Sequence, residues 1–209
     1  MICLSLSVTS GRRFAIAKEL YINGVFHSMR KSVSDSILAI LNFDFSTETI
    51  VKAVLVDCGV GITRKNGSYK FYGELIVDFK NKYPKIKYID EIESLHKIRN
   101  DVQHNTNIPS AQDVSRHKIT VKLFFDEICK NVYNNSISYD DISLALFIKS
   151  ENEKKIIKEM EKAYQKGDFS NCVYYCKQAA MYHVMLLRLN MNVPNEFFIP
   201  PMSSFNPID

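Results

Sequence analysis

Apolar residues recur at three- and four-residue steps along most of this chain, the spacing of one face of a helix. The opening alternates instead (Ile2, Leu4, Leu6, Val8), which predicts a short strand or a loose tail. The segment "RRFAIAKELYINGVFHSMRKSVSDSILAILNF" then predicts one long helix, or two broken near Gly24. A separate helix is expected in "STETIVKAVLVDCG", with Ser46 or Thr47 as its cap and Gly59 as its end. Tyr72, Leu75, Ile76, Phe79 and Tyr83 form the stripe of the next, which stops before Pro84. A further helix runs from about Tyr88 to His104. After it, "IPSAQDVSRHKITVKLFFDEICKNVY" pairs Ser110 with Asp113 as a cap and buries Val114, Val121, Phe124, Phe125, Ile128 and Val132.

Around "NNSISYDD" the composition turns polar, which predicts a boundary. Beyond it, a helical hairpin turns at Gly167 and Asp168, and its second arm is much the more apolar. The last residues contain four prolines and predict an extended tail. Strands do not alternate with helices, and no repeat recurs, so the expected class is all-α. The expected organisation is a tail or strand over 1–11, a helical bundle over 12–135, a hairpin extension over 136–190 and a Pro-rich tail over 191–209.

Composition narrows this picture. A 46% hydrophobic, 24% charged chain of 209 residues is that of a folded protein, not a disordered one. No run reaches the eighteen or so apolar residues of a membrane span, and "MICLSLSVTS" has no basic n-region, so no membrane and a cytoplasmic location are expected. Five scattered cysteines fit reduced thiols. The net charge of +4 is concentrated. Between Arg64 and Lys87 seven basic residues face two acids, a local +5 that leaves −1 for the remainder. Lys80, Lys82, Lys85 and Lys87, with aromatic residues interleaved, are candidate contacts to an RNA backbone, although surface lysines and a buried aromatic stripe explain the same pattern.

One residue breaks the apolar pattern of the helix before His104. With Ile92 at 0°, a turn of about 100° per residue puts Tyr88, Leu95, Ile98 and Val102 between about 240° and 320°. Arg99 falls at about 340°, inside that stripe, whereas His104 falls at about 120°. A straight helix cannot aim both at one target. Asn105, Thr106, Asn107 and Pro109 favour an ending, so the expectation is a helix that unwinds near Gln103 and lets His104 swing back.

"RNDVQH" resembles the signature of HEPN domains (higher eukaryotes and prokaryotes nucleotide-binding): an arginine, four to six residues, then a histidine, with Asn, Asp or His after the arginine. Asn100 meets that preference, and the resemblance covers about Arg12 to Tyr133. It implies an HEPN-like bundle that forms a homodimer with its two motifs facing each other, and in many members an endoribonuclease that needs no metal or other cofactor. Arg99, Asn100 and His104 would be its catalytic residues. It also implies a toxin or phage-defence role, with an antitoxin or a defence complex as partner. The residue types suit the chemistry. A ribose 2′-hydroxyl can attack its own phosphodiester, so a histidine to move protons and an arginine to hold the phosphate suffice.

Other readings stand beside this one. A catalytically inactive HEPN module would use the same surfaces to bind a partner protein or nucleic acid. An unrelated helical adaptor is a third, weakened because one hairpin cannot bury its own face. Arg99 as an interface or ion-pair arginine, and His104 as a histidine at a helix C-terminus, are the plain alternatives. His117, between Val114 and Val121, reads as a satisfied core histidine that could line the same groove. Cys172, Cys176 and His183 share a helical face, but zinc wants a fourth ligand, so they read as core. "DCGVGI" lacks the third glycine of a dinucleotide fingerprint. No nucleophile elbow, Walker loop or zincin motif is present.

Overall fold

The computed structural model describes residues 6–30, 32–140 and 142–191. Ile2, Leu4 and the Pro-rich tail from 192 onward lie outside the described residues. Among those described, the fold is all-α, with an isolated bridge between Thr63 and Tyr69 as the one β feature. The chain divides into two compact units, Met1–Ile142 and Ser143–Asp209.

The first unit is built on two antiparallel helices, α1 (Val8–Ser28) and α2 (Val33–Asp57). Val8 to Gly11 are therefore helical and belong neither to a tail nor to a strand. Gly24, expected as a break, lies inside α1 and is buried. A Cβ at Gly24 would stand 2.6 Å from the Phe43 ring, so its role is close approach of the two helices. The chain breaks later, where Ser32 caps α2 by accepting from the Asp35 N–H at 3.0 Å.

From there α2 runs unbroken for 25 residues. Ser46 and Thr47 are not caps but buried interior residues. Ser46 Oγ donates to the Ala17 carbonyl at 2.7 Å, and Thr47 Oγ1 donates to the Asp44 carbonyl at 2.9 Å. Thr47 thus bonds back to its own helix, the usual way for such a residue to sit inside one, whereas Ser46 ties α2 to α1. Gly59, at φ +72°, follows the end of α2 as expected.

Around α2 pack α3 (Tyr72–Lys82), α4 (Ile89–Asn105) and α5 (Ala111–Asn131). Helix α5 starts with the expected capping box, in which Ser110 Oγ accepts from the Asp113 N–H at 3.1 Å and Asp113 accepts from the Ser110 N–H at 3.2 Å. Its six expected apolar residues are all buried. Phe14 meets Phe125 and Tyr133 edge to face, with centroids 5.6 and 5.5 Å apart. This aromatic centre holds α1 against α5.

The second unit contains a short 3-10 turn (Leu144–Phe147) and the hairpin of α6 (Glu151–Gln165) and α7 (Phe169–Met191). Gly167, at φ +73°, makes its turn. The apolar arm α7 is not the buried core its composition suggests, since Phe169, Val173 and Met185 are exposed. Cys176 and His183 are exposed as well, and Cys172 is half-buried. No helix among the described residues is long and apolar enough to cross a membrane.

Candidate active site

Asp44 sits in the middle of α2 and its side chain is wholly inaccessible to water. A buried carboxylate is costly unless its charge is answered by partners. Both answers come from α4, one turn apart. His96 places Nδ1 3.1 Å from each Asp44 oxygen. Arg99 places Nε 3.5 Å from Oδ2. Residues three apart on a helix differ by about 60° in direction, so His96 and Arg99 face α2 together.

Each of the two has a further contact. Tyr72, the first residue of α3, stacks on the His96 ring with centroids 3.8 Å apart and planes 15° apart. Its hydroxyl is buried and unpaired, and its ionisation is pushed well above the usual range by that burial and then by Asp44, Glu48 and Glu93. Arg99 donates from Nη1 to Asn100 Oδ1 at 2.9 Å, and its guanidinium lies 5.6 Å from the Phe45 ring centre. With Asp44 accepting, the His96 proton is on Nδ1, and Nε2 is the basic nitrogen.

Arg99's place on the apolar stripe is thus explained by a carboxylate 55 positions earlier in the chain. His104 does not join it. Helix α4 does not unwind near Gln103 but continues to Asn105, where Thr106, at φ +53°, ends it by donating its N–H to the Asp101 carbonyl. His104 is exposed on the last turn, about 140° around the axis from Arg99 and about 7.5 Å along it. His96, Asn100 and His104 follow at four-residue steps, and so form one polar row beside Arg99.

The chain matches no family model, no curated protein and no solved structure.

The basic segment divides in two. Arg64 pairs with Glu74, Lys70 with Asp78 at 2.7 Å, and Lys80 with Glu93 at 2.8 Å and Asp90 at 3.3 Å. Lys82, Lys85 and Lys87 are exposed, have no ion pair among the described residues, and line a groove of about 780 Å³ with Cys58, Tyr83 and Glu127. Of the aromatics, Tyr72 and Phe79 are buried, while Tyr69 and Phe71 are exposed.

His117 is in the core, but only half satisfied. Nε2 lies 3.3 Å from Arg116 Nη2, and the buried Nδ1 has no partner. Burial, and then the charge of Arg116, lower its pKa to about 4, so the ring is neutral near pH 7. No cluster of three or more metal-ligating side chains occurs among the described residues, and Cys172, Cys176 and His183 form none.

The two groups missed in the sequence are Asp44 and His96. Asp44 carries one signal, a carboxylate set between two phenylalanines in "ILNFDFS". His96 has only its position three residues before Arg99.

Proposed function

We infer that this protein is an endoribonuclease of the HEPN type, a homodimer that cleaves RNA by attack of the 2′-hydroxyl on the adjacent phosphodiester. The observation that carries the reading is Arg99. A buried aspartate pairs with it by charge, 3.5 Å from an Nε that makes no hydrogen bond, Asn100 holds Nη1, and the outer side of the guanidinium is left for a phosphate. In this reading Asn100 orients the phosphate and His104 delivers the proton to the departing 5′-oxygen. Arg99 and His104 diverge on one helix, so the complete site uses Arg99 of one protomer and His104 of its partner, across a two-fold axis between the α4 helices. Lys82, Lys85 and Lys87 extend the contact along the RNA backbone. A toxin or phage-defence role, inside the cell, follows the same resemblance.

The test is cleavage of total RNA in the presence of chelator, with analysis of the fragment ends. Fragments should end in a 2′,3′-cyclic phosphate. His104→Ala and Arg99→Lys should each be inactive, and an Arg99→Ala and His104→Ala mixture should recover about a quarter of wild-type activity, because half of the dimers are mixed and each has one intact site. Full cleavage by His104→Ala would remove this site from the chemistry, and a wild type that cleaves nothing would leave the inactive module that binds a partner as the better reading.

A further inference from the structure

Cleavage by a 2′-hydroxyl requires two proton transfers, one from the attacking oxygen and one to the leaving oxygen. His104 provides for only the second. We propose that His96 is a catalytic residue, the general base that takes the 2′-hydroxyl proton of an RNA phosphodiester held on Arg99. The proposal rests on the ribonuclease reading above.

Four observations carry it. Asp44 accepts from Nδ1 with both oxygens, which fixes the tautomer and leaves Nε2 as the acceptor. The Asp44 carboxylate is fully buried and shared with Arg99, out of reach of bulk water, and it faces the ring nitrogen that keeps its proton when Nε2 takes one. Tyr72 packs flat on the ring and limits its rotation, while about a fifth of the His96 side chain stays exposed and no described residue hydrogen-bonds Nε2. Arg99 lies one turn onward, about 4.5 Å along the axis, so a phosphate on its outer nitrogens has its ribose beside His96. Asp44 on α2 and Tyr72 on α3 contact the ring, Arg99 on α4 shares its carboxylate, and Glu48 and Glu93, paired with Lys52 and Lys80, act on the Tyr72 hydroxyl.

In the step, Nε2 takes the 2′-hydroxyl proton as the O2′–P bond forms. The P–O5′ bond breaks with its electron pair on the 5′-oxygen, which takes a proton from the His104 imidazolium. A 2′,3′-cyclic phosphate and a 5′-hydroxyl result. His96 is then protonated and His104 neutral, and exchange with water resets both.

The experiment has two arms, both on the full chain. The first measures kcat and KM from pH 5 to 9 with a fluorescein-labelled, mixed-sequence single-stranded RNA. His96→Gln should lose about 10²- to 10⁴-fold in kcat, with little change in KM, and should lose the acidic limb of the pH profile. Asp44→Asn, which keeps the shape and removes the charge, should lose kcat with the limb displaced. The second arm follows the imidazole nitrogens by long-range 1H–15N spectra as inorganic phosphate is added. The His96 Nε2 signal should move in the wild type and stay still in Arg99→Ala. A His96→Gln protein with wild-type kcat and acidic limb would overturn the proposal, as would a stationary Nε2 signal. A wild type that cleaves no RNA would defeat the ribonuclease reading, and a His96→Gln that fails to fold would end the first arm. In either case the phosphate titration still decides whether Nε2 faces an anion.

Discussion

His27 and His96 are each held through Nδ1 by an aspartate on α2, and the two pairs do different work. His27 meets Asp35 at 2.8 Å across the α1–α2 turn, only eight residues apart, and Asp35 is also the partner of the Ser32 cap. Both oxygens of that carboxylate are spent on closing a helical hairpin, Oδ1 on His27 and Oδ2 on the Ser32 hydroxyl. His96 meets Asp44 across 52 residues, on a carboxylate with no solvent contact, under a tyrosine ring and beside an arginine. There the carboxylate is spent and the far sides of the imidazole and the guanidinium are not. A histidine–aspartate pair points to chemistry only when something is left over for a ligand.

The strongest way to break the comparison is to remove both carboxylates. Asp44→Ala leaves Arg99 and His96 against an apolar interior, and should cost about 3–5 kcal/mol of unfolding free energy in urea denaturation. Asp35→Asn should cost much less, since its pair is only half-buried and water can reach the carboxyl. Equal losses would mean that the buried cluster is no different in kind from the half-buried clasp.

A third imidazole sharpens the contrast, because His117 is buried with no carboxylate bonded to it. Its pKa falls to about 4 from an ordinary 6.5. The unfolded chain therefore binds a proton that the folded chain refuses, so stability is full above pH 6.5 and declines as the pH falls toward 4. A shift of that size corresponds to about 3 kcal/mol across the window. The check is urea denaturation at pH 7 and pH 4.5, compared with His117→Leu, which should lack this part of the decline. His96 is answered by Asp44, so His96→Gln should keep it.

Much of the fold was readable from periodicity, because α3 and α5 are amphipathic and their caps are local. The errors arose where a residue's role is set by a distant partner. Gly24 looks like a helix breaker until Phe43 is against it, and Ser46 looks like a cap until the Ala17 carbonyl accepts its hydroxyl. The site followed the same rule. Arg99 was visible as a charge on an apolar stripe, whereas Asp44 and His96 become neighbours only through the register of α2 on α4. His104 was visible too, but α4 keeps its helical angles to Asn105 and aims it elsewhere. In α7, apolar composition suggested a core that a two-helix hairpin cannot provide.

The distinction between spent and free charge also applies to the lysines. Lys80 is engaged by Glu93 and Asp90, which raise its pKa, whereas Lys82, Lys85 and Lys87 have no such partners among the described residues. Replacing those three by glutamine should lower the slope of log affinity against log salt by about 0.7 per lysine on single-stranded RNA. Lys80→Gln should leave the slope nearly unchanged. Filter binding from 50 to 400 mM salt measures both, and a Lys80 effect equal to that of its neighbours would show that its ion pairs open for RNA.

The smallest effect returns to the His27–Asp35 pair. The hydroxyl of Ser32, and then His27, hold the Asp35 carboxyl below its ordinary 3.8. For a depressed carboxyl, the contribution to stability is present above the unfolded value and is lost as the pH falls through the folded one. The loss therefore belongs below about pH 4, under the window assigned to His117. Thermal midpoints taken from pH 5 to 2 should fall less steeply in Asp35→Asn than in the wild type, and the Ser32→Ala protein should lie between them, because Ser32 is the larger of the two causes but not the sole one. Identical slopes in all three would mean that water holds this carboxyl as well as the hairpin does. The clasp would then contribute geometry to the α1–α2 turn and no measurable charge.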